Sequence, residues 1–139
     1  MVFDTVGFVR ALLGPFSVWG EAVFDFQRRY DLLVSEQLIA ETTDVLERPE
    51  LARRFSRLPG RDVDAVTQLL AAGRAIATTS IPRVARNPND DYLVALASQG
   101  QAVFLETEDN DLLSLGKVAS TLILTGREFI DILRTTDHL

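Results

Sequence analysis

Four carboxylates carry the chemistry that this chain is equipped to do. Asp4 closes the first apolar run, Glu41 lies on an amphipathic stretch, Asp91 stands near the start of another, and Asp109 falls within the acidic segment ETEDNDLL. No lysine or histidine accompanies them, so four acids brought together cannot all stay ionised unless a cation joins them. Carboxylate oxygens are hard ligands and select magnesium or manganese. A divalent ion held this way activates water and shields phosphate oxygens in an in-line displacement, which makes phosphodiester hydrolysis the natural reaction.

Asp91 illustrates the reasoning. Asn87-Pro88 favours an extended turn, because the proline ring pushes the preceding residue out of helical space, and Asn89 or Asp90 then caps a helix. In NPNDDYLVALA, Asp91 shares a side with Val94 and Ala95, so its charge lies along an otherwise apolar face. An acid in a first turn also interacts favourably with the helix dipole, by a few tenths to about 1 kcal/mol. The recurrence of acids in comparable places favours a site over that simpler reading. Asp90 is the alternative, and the spacing to Val94 and Ala95 selects Asp91.

The elements that must position these acids alternate. Residues 1–3 form a short strand ending at Asp4, residues 8–13 a helical turn or two, and Ser17 caps a helix striped by Val18, Ala22, Phe26 and Tyr30. Residues 31–34 read as a second strand. Ser35 then caps a helix whose inner face holds Leu38, Ile39, Thr42, Val45 and Leu46, with Glu41 at its edge and Asp44 and Glu47 directed to solvent. Pro49 opens a helical segment that ends at Pro59-Gly60, and Asp62 begins another running to about residue 77. Extended segments follow at 77–81, 101–105 and 121–124, and Thr125 to Glu128 has the reciprocal capping pattern of a final helix. Short apolar strands alternating with helices imply a parallel sheet covered on both faces, with ligands gathering at the carboxyl ends of the strands.

Composition narrows the choices. The chain of 139 residues is most simply one domain, and its 47% apolar and 24% charged content is that of a globular protein. Cysteine is absent and the single histidine is His138, so thiolate zinc sites, disulfides and cysteine nucleophiles are excluded and any metal is held by oxygen. There is no signal-like start and no apolar run long enough to span a bilayer, which leads to the expectation of a soluble cytoplasmic protein. A net charge of -6 argues against a generic nucleic-acid binder, although acids gathered in a metal cluster account for such a surplus. Arg48, Arg53, Arg54, Arg57 and Arg61 lie close in sequence. Their planar forks suit phosphate oxygens, Arg53 and Arg54 being the candidates for RNA, while a solvated helix face is the simpler account.

The segments VFDTVGFVRALL, SEQLIAETTDVL, NPNDDYLVALA and FLETEDNDLLSLG, followed by LILTGREFIDIL, together resemble a PIN domain, most closely the bacterial PIN proteins that act as toxins of toxin-antitoxin pairs. The resemblance covers nearly the whole chain in order. It implies a three-layer α/β/α sandwich with a central parallel sheet of four to five strands, and a metal-dependent endoribonuclease using Mg2+ or Mn2+. It also implies an acidic quartet of Asp4, Glu41, Asp91 and Asp109, with the metal on Asp4, Asp91 and Asp109. Thr107 would be a hydrogen-bonding residue beside it and Asp111 a reserve ligand. Homodimers and an antitoxin that blocks the site are implied as well. One position departs from the pattern: such domains usually follow the first aspartate with Thr-Asn, and here Val6 stands in the Asn position.

Two other phosphate chemistries fit less well. A haloacid-dehalogenase-type phosphatase needs an aspartate two residues after Asp4, where Val6 stands, and a phosphoreceiver domain needs a late lysine near the acids, where the only lysine, Lys117, is poorly placed. The competing reading from another class is a catalytically weakened PIN-like module that binds RNA or a protein without cutting it.

Overall fold

The computed structural model describes residues 1–79 and 90–136. Its main sheet has the order β1-β4-β6-β5, from β1 (Val2–Phe3), β4 (Phe104–Glu106), β6 (Thr121–Leu124) and β5 (Lys117–Val118). Strand β1 runs parallel to β4, placing Val2 opposite Leu105 and Phe3 opposite Glu106, and β4 runs parallel to β6. A second ladder joins β2 (Leu33–Val34) in parallel to β3 (Arg74–Ala75), and the Leu33 amide donates to the Met1 carbonyl at 2.9 Å, linking the ladder to the β1 edge. Strands β1 and β2, of two residues each, persist because they are buried on both faces: Val2, Phe3, Leu33 and Val34 are almost fully covered.

Helices α1 (Thr5–Leu13), α2 (Val18–Gly20) and α8 (Gly126–Thr135) pack together on one face, where Phe3, Phe8, Tyr30 and Phe129 meet edge to face or tilted. Helix α6 (Asp91–Gln99) packs against β1, β2 and β4, and also meets α3 (Glu36–Leu46), which contacts α5 (Val63–Ala72). The result is an α/β sandwich.

Capping explains the helix starts. Ser35 accepts from the Leu38 amide, Asp62 from the Ala65 amide, and Thr125 and Glu128 form the expected reciprocal box.

Four expectations are corrected. The sheet is not wholly parallel: β5 runs antiparallel to β6, turning back through Ala119, which takes a φ of +53° that a residue with a Cβ adopts only under tertiary constraint. The second helix is not continuous, because α2 passes into a π-helical turn over Glu21–Asp25 and a 3-10 turn over Gln27–Arg29. Its four-residue stripe ends with the Tyr30 hydroxyl donating to the Ala22 carbonyl at 2.8 Å. The helix opened by Pro49 is only α4 (Pro49–Ala52), since Phe55 turns into the core and the Ser56 amide is taken by the Leu12 carbonyl. The extended segment expected at 77–81 is placed earlier, at β3, and its last two residues lie outside the described residues, as does Asn87-Pro88.

Candidate active site

Parallel pairing fixes the site. Because β1 and β4 run side by side in the same direction, Asp4 and the loop after Glu106 emerge at the same edge of the sheet. There a cleft of about 660 Å³ is lined by Asp4, Glu41, Asp90, Glu108 and Asp109, by Arg10 and Arg48, and by an apolar wall that includes Val6 and Val45. Helix α1 supplies the residues after Asp4, α3 supplies Glu41, Asp90 stands at the N-cap of α6, and Asp109 caps α7 (Asn110–Leu113).

Thr107 organises the centre. Its hydroxyl donates to Asp4 Oδ2 at 2.8 Å and accepts from the Asp109 amide at 3.1 Å, so one fully buried side chain ties two acid-bearing loops together. Asp109 Oδ1 in turn accepts from the Asp111 amide at 2.8 Å. Glu41 is held from the other side, where the Tyr92 hydroxyl donates to its Oε2.

The electrostatics are those of crowded acids. Burial pushes the Asp4 carboxyl above its usual range, with Asp109 adding to the rise while the Thr107 hydrogen bond and nearby amides oppose it. Asp90 is pushed up to about 7, first by burial, then by the adjoining Asp109, and then by the charges of Asp4 and Glu41. Glu41 is raised by burial and by Asp4, against the pull of Arg48. These groups sense one another across a single cleft.

The structure puts Asp90, rather than Asp91, on this cleft. Asp91 is 5% exposed and belongs to a run, Asp91 through Ala97, that is buried throughout. The shared side with Val94 and Ala95 that singled out Asp91 is therefore what turns it into the interior. Asp90 is the N-cap of α6 and lies outside that buried run. Asp111 is half-buried beside Asp109 but does not line the cleft, and Arg53 and Arg54 are exposed outside it. Thr107, expected as a hydrogen-bonding neighbour, is placed between Asp4 and Asp109.

Sequence reasoning passed over Arg10, Glu108, Tyr92 and Glu106. Glu106, at the end of β4, is fully buried, and neither carboxylate oxygen has a hydrogen-bond partner among the described residues. Burial chiefly, then Asp4 and Glu108, raise its pKa well above the usual range, with Trp19 and Arg10 opposing. Four acids in six residues read naturally as a solvated loop, and only the β4 register separates the buried Glu106 from its neighbours.

The donor set suits a hard divalent ion. Asp90 Oδ2 is covered and has no hydrogen-bond partner among the described residues, an orphan that a cation would satisfy. Among the described residues no three acidic or histidine side chains stand close enough to hold one ion as placed. Glu41 is turned toward Tyr92, so side-chain rotation would accompany binding. No helix among the described residues is long and apolar enough to cross a membrane.

Comparison with curated proteins and with solved structures yields no match. A family model for the PIN domain matches residues 1–111, a span that includes β1, the Asp90 helix start and the Thr107–Asp109 loop. PIN domains are generally nucleases that use divalent metal ions and bind RNA. The chain belongs to the PIN domain family.

Proposed function

We propose that this protein is an endoribonuclease dependent on Mg2+ or Mn2+. The observation that carries the reading is the placing of Asp4, Asp90 and Asp109 on one cleft, with Thr107 bridging the first and last and the Asp90 pKa raised by burial and then by its neighbours. Asp4, Asp90 and Asp109 would hold the cation, with Glu41 completing the cluster. When bound, the divalent ion would polarise the phosphodiester and lower the pKa of the attacking water. Thr107 fixes the Asp4 carboxylate, and Tyr92 sets the direction of Glu41. Residues beyond the family match support one domain over the full 139, because β6 pairs with β4 and α8 packs against α2.

The role of a toxin restrained by an antitoxin, and a homodimeric state, extend this proposal on the strength of the resemblance alone. A cytoplasmic location belongs with them. The second reading, a PIN-like module that binds without cutting, is favoured by the apolar Val6, which is exposed where a polar residue usually stands, and by the absence of a tight three-acid cluster among the described residues.

The experiment is to incubate structured and unstructured RNA with the purified protein, with and without manganese, beside Asp90→Asn and Asp109→Asn. Manganese-dependent cutting by the parent that both variants lose supports the nuclease. RNA binding without cutting supports the second reading, and equal cutting by parent and variants assigns the activity to a contaminant.

A further inference from the structure

An acid-lined cleft repels the polyanion that a ribonuclease must admit, so cations at the same cleft are needed to offset that repulsion. Among the described residues five acids line it, and the cationic side chains there are Arg10 and Arg48. They come from different walls: Arg10 lies in the last turn of α1 near Glu108, whereas Arg48 stands between α3 and α4 near Asp44.

Both guanidiniums are held by long, single ion pairs. Arg10 Nη1 is 3.8 Å from Glu108, at the outer limit of an ion pair, and Arg48 Nη2 is 3.4 Å from the exposed Asp44. Pairs this long, with the guanidinium itself exposed, hold it weakly, which leaves the planar donors able to meet another anion. Arg10 is nevertheless fixed in direction, because its guanidinium lies 4.7 Å from the centroid of the Trp19 ring. Trp19 itself is wedged against Gly126, where a Cβ would come within 2.4 Å of the indole nitrogen. Stacking on an anchored ring limits how far this cation can turn toward the acids beside it.

We infer that Arg10 and Arg48 form a two-sided clamp for the phosphates flanking the one that is cut, an inference that rests on the ribonuclease reading. Bidentate contact from each fork would set the strand across the acids, while the scissile phosphate meets the divalent ion. Arg53 and Arg54 lie outside the cleft and contribute only to the general field.

The test measures affinity for a labelled mixed-sequence RNA oligonucleotide over a range of salt, without divalent ions, in an Asp109→Asn parent that leaves RNA intact. Arg10→Gln and Arg48→Gln should each lower the slope of log affinity against log salt by about 0.7. Arg10→Lys should keep the slope while losing affinity, and the Arg53→Gln/Arg54→Gln pair should change the slope less than either single clamp variant. Thermal melts establish that each variant folds. An unchanged slope in Arg10→Gln and Arg48→Gln, with a parent that binds RNA, overturns the clamp and leaves the nuclease reading standing. An equal loss in the Arg53/Arg54 pair also overturns it, in favour of diffuse attraction. A natural protein that neither binds nor cuts RNA removes both.

Discussion

The Thr107 hydroxyl donates to Asp4 while accepting the amide of Asp109, so the first acid of the chain is held to the last acid of the site by one buried side chain. Each of the two strands that carry them is too short to define a carboxylate position alone, and the hydroxyl supplies what the sheet does not. Thr107→Val keeps the shape of the side chain and removes both bonds. Losing a donor to a charged acceptor is worth about 1.5 kcal/mol or more, so cutting at neutral pH should fall roughly tenfold or further. The acidic limb of the pH-rate profile should move to higher pH, because Thr107 opposes the rise in the Asp4 pKa. Thr107→Ser should restore both.

Asp90 and Asp91 are neighbours with different fates. Asp90→Asn should abolish metal-dependent cutting, whereas Asp91→Asn, changing a buried position away from the cleft, should alter stability more than rate. Cleavage assays on both variants, with melting curves alongside, check this. Equal loss of rate at equal stability would return Asp91 to the site.

Asp90 also predicts a pH dependence in the metal-free protein. Its carboxyl has an ordinary value of 3.8 and titrates near 7 when folded. A carboxyl raised in this way favours the native state while protonated, and that contribution is lost as pH climbs from about 4 through 7. Denaturant midpoints without metal should therefore fall between pH 5 and pH 8 on this account. Asp90→Asn should flatten the decline and be the more stable protein at pH 8.

Glu106 acts in the same direction from the other face of the sheet. Its oxygens are buried without a hydrogen-bond partner among the described residues, and an added Cβ at Gly7 would meet Oε2 at 2.5 Å. Glu106→Gln should stabilise the protein above neutral pH and little below pH 5, because the neutral amide has no charge to desolvate. Gly7→Ala should cost about 1–3 kcal/mol by overpacking, and Glu106→Ala should relieve much of that cost in a double-mutant cycle. Additive effects in the cycle would mean that the two positions do not meet.

The alternation of short apolar runs with amphipathic helices was sufficient to place Asp4, Glu41 and Asp109 at one edge, because strand direction in a parallel sheet determines where each loop emerges. The Ser35, Asp62 and Thr125 caps were equally legible, since each depends on residues within one turn. The choice between Asp90 and Asp91 was not. Helical periodicity distinguishes faces only when one face is wet, and Asp91 through Ala97 is buried on every side. Arg10, Tyr92 and Glu106 escaped for a related reason: their partners Trp19, Glu41 and Gly7 lie on other elements, and nothing local marks the pairs. Strand β5 was hidden because a two-residue strand held by Ala119 at positive φ has no alternating pattern.

Titration of manganese into the metal-free protein by calorimetry tests most directly whether the acids at this edge act together. Saturable binding that releases protons near pH 7, and that Asp90→Asn and Asp109→Asn each abolish while Asp91→Asn does not, is the result expected. A parent that takes up no manganese, or one whose binding survives both cleft substitutions, would contradict the shared-cation site.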